Sequence, residues 1–257
     1  MKAKLFITLA IIITIVFAGA IFLRSIYVIP VLMYHAVDYD FDKTKLSVSP
    51  ESFARQMEFL HRNHYNVVTL DRIVSYMEKR EKIPLKTVAI TFDDGYYNNY
   101  KYAYPVLKRY GIPATIFVIT DKIGKTGFLG WPEIEEMAKS GVVTIGSHTK
   151  SHSWLPSLDD KDLKDQLADS KEIIESRTGK PVEFLCYPIG AHDERVQEAV
   201  RQAGYLCAVA TNPGKRKSSK DVYAIKRIKI SRTSDNMLIF GIESSGYYTW
   251  IKEKRDK

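Results

Sequence analysis

Between Tyr27 and Ile230, short apolar runs alternate with helix-patterned stretches, and this alternation restricts the fold more than any other feature of the chain. Runs rich in β-branched and aromatic residues fall at 27–34, 66–69, 88–92, 114–119, 142–145, 184–187, 206–210 and 224–230. Helical stretches are expected from Ser49-Pro50, with Phe53, Met57 and Leu60 on one face, and over 70–79, 104–110, 131–140, 159–177 and 194–203. Gly111, Gly141 and Gly204 close three of them. Strand and helix in strict alternation imply an α/β fold with parallel strands, either an open sheet or a barrel. A chain of 257 residues, 45% hydrophobic, can supply the core of one such domain.

Ahead of that domain, Leu5 to Leu23 is almost unbroken in its apolar character, with Lys2 and Lys4 before it and Arg24 after it. A run of about 20 apolar residues matches the thickness of a bilayer. The Ala18-Gly19-Ala20 triplet also fits the small-residue pattern of signal-peptidase cleavage. Residues 1–24 therefore read as a membrane anchor or a signal peptide. Residues 25–257 read as one domain lying outside the cytoplasm, either anchored to the cytoplasmic membrane or secreted after cleavage near Ala20. The net charge of +8 is scattered and accompanies no nucleic-acid motif, so a basic surface facing an anionic envelope is expected rather than a nucleic-acid partner. Cys186 and Cys207 both sit in apolar runs without Cys-x-x-Cys spacing. A disulfide and two buried thiols both remain open.

Two polar motifs follow two of the expected strands directly: Thr91-Phe92-Asp93-Asp94-Gly95 and Ser147-His148-Thr149-Lys150-Ser151-His152. In parallel α/β folds, sites are built just past the carboxyl ends of strands. His148 and His152 are four apart, so on a helical turn both would face one ion. Asp94 would complete the ligand set and leave Asp93 free as a base. Two imidazoles and one carboxylate suit Zn2+, with Co2+, Ni2+ and Fe2+ open. The chemistry indicated is metal-assisted hydrolysis. Candidate residues after several different strands favour a barrel whose loops converge on one mouth.

Taken together with Pro113–Val118, Tyr187-Pro188-Ile189-Gly190 and the opening Val31-Leu32-Met33-Tyr34-His35, these motifs resemble the polysaccharide deacetylases, carbohydrate esterase family four with its NodB-homology domain. The resemblance spans Val31 to about Arg232, and its opening looks like the branch containing poly-β-1,6-N-acetylglucosamine deacetylases. It implies a distorted (β/α)7-type barrel and metal-dependent removal of N-acetyl groups from an acetylated polysaccharide. It also implies Asp93 as general base, with Asp94, His148 and His152 as metal ligands. A backbone N–H within Tyr187-Pro188-Ile189-Gly190 would hold the oxyanion.

The chain departs from that pattern twice. No Leu-x-His occurs near the carboxyl end, where Ile228-Lys229-Ile230-Ser231-Arg232 stands, and His35 is the replacement expected for the general acid. Cys186 occupies the place of the arginine that orients the base; Arg227 is the candidate to supply that guanidinium, an ordinary surface role being the other reading. Trp131 offers either a face for a sugar ring or helix-start packing, and His192 and Asp193 either line the mouth or serve structure. His61 and His64 read as surface residues, and Tyr96 and Tyr97 as possible flanks of the cleft. The reading is of a monomeric, membrane-associated deacetylase of an envelope or extracellular glycan containing N-acetylglucosamine. An O-acetyl carbohydrate esterase and a weakened carbohydrate-binding relative are the alternatives, and a metal-dependent nuclease is remote.

Overall fold

The computed structural model describes residues 2–39, 46–79, 81–211 and 221–255; the Lys-, Ser-, Pro- and Gly-rich stretch from Asn212 to Asp221, expected from sequence as an exposed loop, lies outside the described residues except for Asp221. In chain order the elements are α1 (Lys2–Ile26), β1 (Val31–Tyr34), α2 (Pro50–Arg62), β2 (Asn66–Val67), α3 (Leu70–Glu78), β3 (Thr87–Phe92), α4 (Tyr104–Tyr110), β4 (Ala114–Val118) and α5 (Trp131–Lys139). There follow β5 (Val143–Ser147), α6 (Asp160–Thr178), β6 (Phe184–Cys186), α7 (Glu194–Gln202), β7 (Cys207–Ala210), β8 (Ile225–Lys226), β9 (Ile228–Lys229), α8 (Met237–Ser244) and α9 (Tyr248–Arg255).

Every strand pairing in the sheet is parallel. The order runs β8-β7-β6-β5-β4-β3-β1-β9, with β2 added beside the start of β3. The two ends of that order, β8 and β9, are separated in sequence only by Arg227. Ile225 and Lys226 pair with β7, while Ile228 and Lys229 pair with β1. One broken strand thus bridges both edges and curls the sheet into a nearly closed barrel, the seven-stave architecture expected from the sequence.

The pleat sorts the strand residues by parity. Leu32, Tyr34, Val88, Ile90, Ile116, Val118, Leu185 and Ala208 face the helical layer and join the larger apolar core. Val31, Ala89, Phe117, Phe184, Cys207, Val209 and Ile225 form a second cluster with Leu70, Ile73 and Val74 of α3. These strand residues lie mostly toward the amino ends of their strands, so α3 packs against the end of the barrel opposite the motifs. Continuing the inward parity toward the carboxyl ends gives Thr91 and Asp93 on one stave, Cys186 on another, and Arg227 and Lys229 on the last. The apolar plug and the polar site are therefore two ends of one interior.

Helix α1 is 25 residues long, about 37 Å at 1.5 Å per residue. Its Phe6–Ile26 segment is long and apolar enough to cross a membrane. The carboxyl end of α1 is tied to the domain: the Arg24 guanidinium donates to the Ile83 carbonyl, and the Phe22 and Trp250 rings meet edge to face at 6.0 Å.

Two features of the fold differ from the sequence reading. The first strand begins at Val31 rather than Tyr27, whose hydroxyl instead accepts from the Thr87 N–H at 2.9 Å. Helices α8 and α9 were not anticipated. Their absence from the expectation has a physical cause, since α8 exposes Leu238, Ile239 and Ile242 while burying Phe240 and Glu243. A helix that turns apolar residues outward and a carboxyl inward carries no readable amphipathic period.

Candidate active site

The Asp motif leaves β3 as soon as the ladder ends. Tyr34 pairs with Phe92, and the Asp93 N–H donates to the Tyr34 carbonyl at 3.0 Å, which sets His35 beside Asp93 across the stave boundary. Asp94 (φ 70°) and Gly95 (φ 71°) then both adopt left-handed backbone, turning the chain sharply so that consecutive carboxylates point to different places. A Cβ at Gly95 would sit 3.0 Å from Val118 Cγ1, so the turn needs glycine for space as well as for φ.

His148 and His152 do come together, but not on a helical turn. Residues 148–152 form a loop in which Thr149 (φ 66°) and His152 (φ 63°) are left-handed. Side-chain bonds hold it: Thr149 N–H donates to Ser147 Oγ at 3.0 Å and His152 N–H to Thr149 Oγ1 at 3.1 Å. The strained pair of residues replaces the helical geometry the spacing suggested. The rings stand 4.7 Å apart and nearly perpendicular.

Asp94 Oδ1 lies 3.5 Å from His148 Nε2 and 3.9 Å from His152 Nε2. These separations are too long for hydrogen bonds. They suit ligands around one ion, because tetrahedral donors at about 2.1 Å from a metal stand about 3.4 Å from each other. His148 Nδ1 is 2.8 Å from the Cys186 carbonyl, which can only accept, so the proton belongs on Nδ1 and the Nε2 lone pair faces Asp94. Burial of the ring pushes the His148 pKa down, against the pull of Asp93 and Asp94, and keeps it neutral for ligation. The donor set therefore fits a divalent cation of the borderline class. A second group of donors, Asp93, His148 and Cys186, lies within the same reach. There the place of a cation is already taken by a guanidinium.

That guanidinium belongs to Arg227, which is fully buried. Its Nη1 is 2.6 Å from Asp93 Oδ1 and its Nη2 is 2.7 Å from Asp93 Oδ2, a two-pronged ion pair. The other donors go to the Ala210 carbonyl at 3.1 Å, Thr91 Oγ1 at 3.1 Å and Cys186 Sγ at 3.1 Å. Arg227 thus approaches Asp93 from the closing stave, in the space a small cysteine leaves on β6. Burial alone would raise the Asp93 pKa, but the charge and hydrogen bonds of Arg227, with smaller help from His35 and His148, hold it well below the usual carboxylate range. Cys186 is free and buried, and burial raises its thiol well above the ordinary value. Cys207 is also a free, buried thiol.

His35 Nε2 stands 4.0 Å from Asp93 Oδ2, and its buried Nδ1 has no hydrogen-bond partner among the described residues. Tyr187 to Gly190 leaves β6 as a single tight turn with Ile189 left-handed (φ 58°) and its side chain exposed. Within that turn Tyr187 N–H donates to the Val209 carbonyl at 3.1 Å, Gly190 N–H to the Tyr187 carbonyl at 2.9 Å, and Pro188 has no N–H. The Ile189 N–H is the one donor the turn's own bonds leave over.

His35, Asp93, Asp94, His148, His152 and Ile189 all line one open cavity of about 700 Å3, together with residues from the closing stave and the two final helices. Trp131 does not line it. Its ring starts α5 beneath the Arg177 guanidinium at 5.0 Å and serves packing, not the cavity. His192 stacks on Tyr187 at 4.7 Å, and Asp193 caps α7 through the Val196 N–H at 2.8 Å. Tyr96 stacks on Phe128. His61 packs on Tyr110 and lies outside the cavity. The cavity residues the sequence reading missed include Glu243 of α8 and Tyr248 and Lys252 of α9.

A family model described as polysaccharide deacetylase matches residues 80–208. The Bacillus subtilis protein YxkH is 36% identical over 203 residues, covering 79% of this chain and 71% of that protein. A poly-β-1,6-N-acetyl-D-glucosamine N-deacetylase of Staphylococcus epidermidis is 30% identical over 210 residues, covering 75% of this chain and 71% of that one. Among solved structures, the Streptococcus pyogenes deacetylase PplD in complex with acetate superposes with a TM-score of 0.76 at 26% identity, covering 83% of this chain and 98% of that one. IcaB from Ammonifex degensii superposes with a TM-score of 0.73 at 25% identity, covering 86% and 97%. With the barrel and the family model in agreement, the chain belongs to the polysaccharide deacetylase family.

Proposed function

We propose that this chain is a metal-dependent N-deacetylase of an N-acetylglucosamine-containing envelope or extracellular glycan, held at the outer face of the membrane by α1. The observation that carries the reading is the Asp94–His148–His152 donor set placed beside a carboxylate that Arg227 holds ionised. The similarity to a poly-β-1,6-N-acetyl-D-glucosamine N-deacetylase supports the glycan class.

A divalent cation held by Asp94, His148 and His152 would supply Lewis acidity toward the acetyl carbonyl and acidify water. Asp93 accepts the proton of the attacking water. Its depressed pKa makes it a modest base, yet one that stays ionised across the working pH range. The carbonyl oxygen gains charge as the C–O bond forms, and the Ile189 N–H, which the turn's own bonds leave over at the edge of the cavity, is the donor that would meet it. The C–N bond then breaks, and nitrogen must leave as an amine. His35, beside Asp93 on the neighbouring stave, donates that proton, giving acetate and free glucosamine nitrogen.

Stripping the protein with a chelator is expected to abolish acetate release from β-1,6-linked or chitin-type N-acetylglucosamine oligomers, and added Zn2+ to restore it. Release that survives exhaustive chelation would overturn the metal assignment. His35→Ala is expected to cost about 10²-fold or more on these amides. Activated aryl acetates, whose leaving groups need no proton, should lose far less. Equal losses on amide and ester would remove His35 from the acid role, and preference for acetylated xylan would turn the reading toward an O-acetyl esterase.

A further inference from the structure

Glu243 stands in three unfavourable circumstances at once. It is 5% exposed, and its Oε2 has no hydrogen-bond partner among the described residues. It is also the second-last residue of α8, where the helix dipole disfavours negative charge. It is the one acidic residue of a helix otherwise apolar or small. A buried carboxyl with one oxygen unpaired costs stability, and a fold keeps such a group only where something else is served. Glu243 lines the same cavity as Asp94, His148 and His152.

Its surroundings indicate what it is held for. Ser231 and Thr233, like Glu243, come from the segment after the closing stave, and all three border the cavity. Behind them a polar chain fixes the wall: Tyr34 Oη donates to Gln56 Oε1 at 2.8 Å, and Gln56 Nε2 donates to the Ser234 carbonyl at 2.9 Å. Burial raises the Glu243 pKa to about 7, with the Ser234 hydroxyl pulling the other way. Lys229 and Lys252 also border the cavity, but neither forms an ion pair with Glu243 among the described residues. Two lysines at the rim disfavour a cationic ligand. A carboxyl at the edge of an open cavity that Ser231 and Thr233 also border, with one oxygen still unpaired, matches a neutral O–H donor.

We propose that Glu243 is a specificity-determining residue whose carboxyl, its unpaired Oε2 brought to the cavity it borders by a small side-chain turn, accepts a hydrogen bond from a sugar hydroxyl of the glycan lying there. The residues after the closing stave then form a sugar subsite that the catalytic motifs do not include. This rests on the glycan reading above but not on hydrolysis itself.

The test compares Glu243→Ala and Glu243→Gln in the full-length, zinc-loaded protein carrying Asp93→Asn to prevent turnover. Affinity for β-1,6-linked and chitin-type N-acetylglucosamine tetramers is measured by calorimetry, and thermal midpoint by scanning. Glu243→Ala should weaken binding by about tenfold or more, since it removes a hydrogen bond to a charged or polarised acceptor. Its thermal midpoint should hold or rise, because a buried carboxyl with an unpaired oxygen is gone. Glu243→Gln, which keeps an acceptor, should recover most of the affinity. Unchanged affinity in Glu243→Ala overturns the proposal. So does a fall in thermal midpoint alongside the loss of binding, which would make Glu243 structural. If neither tetramer binds the parent protein, the subsite has no sugar to hold and the proposal fails. If a tetramer binds tightly but the protein with Asp93 restored releases no acetate, the deacetylase reading falls while the subsite stands.

Discussion

Asp93→Asn is expected to lower kcat on N-acetylglucosamine oligomers by about 10²–10⁴-fold while leaving zinc affinity within a small factor of the parent's. The substitution keeps the shape of the side chain and removes its charge and its basicity. Asp94, His148 and His152 are untouched, and of the four side chains Arg227 bonds only Asp93. Kinetics of acetate release and competition titration of zinc into the stripped protein read the two properties separately. A parallel loss of both would make Asp93 a ligand instead of the base. Retained turnover would send the search for the base elsewhere in the cavity, with His35 first.

Arg227→Met should be the most destabilising change at the site. It leaves Asp93 buried at 2% exposure with no cation, and breaking a buried pair by removing one partner typically costs about 3–5 kcal/mol. The pH dependence follows from the sign of the shift. With Arg227 present, the Asp93 pKa lies below its unfolded value, so the pair contributes stability above the ordinary carboxylate range and loses it only in strong acid. Without Arg227 the burial contribution stands alone and lifts the pKa above the unfolded value. The penalty is then greatest near neutral pH and eases as acid protonates the carboxyl. Urea unfolding at several pH values should show the gap between parent and Arg227→Met narrowing as pH falls from 7 toward 4. A gap that stays constant would mean that the pair contributes through packing alone.

The same variant should lose activity through misplacement of the base, and its rate should now fall on the acid side where the parent's does not. Arg227→Lys should restore only part of both properties, because an ammonium cannot bond both Asp93 oxygens, Thr91, Ala210 and Cys186 from one plane.

Much of this was legible in the chain. The alternation of strand and helix indicated a parallel α/β fold, because parallel strands need covering crossovers, and motifs after several different strands favoured the barrel; the β3 and β5 motifs fell at strand ends because their apolar runs stop there. Asp93, Asp94, His148 and His152 were readable as chemistry because unlike residues at fixed offsets after strands have few other uses. The helical reading of the His148–His152 offset failed, since an i,i+4 spacing reports a separation along the chain and a left-handed loop meets it equally well. Trp131 was left between a sugar face and helix-start packing, and the structure takes the second, because an aromatic at a helix start gives no sign of which way it faces.

What sequence determined by itself was the local content: which runs become strands, which carry carboxylates and imidazoles, and that Phe6–Ile26 is long and apolar enough to cross a bilayer. What only the tertiary structure decided was every pairing between distant segments. Arg227 reaches Asp93 across 134 positions because a broken strand closes the barrel between β7 and β1, and no periodicity in the chain encodes that neighbour. Glu243 enters the cavity because α8 turns its apolar residues outward, against the rule by which helices are recognised. Local pattern is set by the backbone's own geometry, whereas which buried charges meet is set by how the sheet closes.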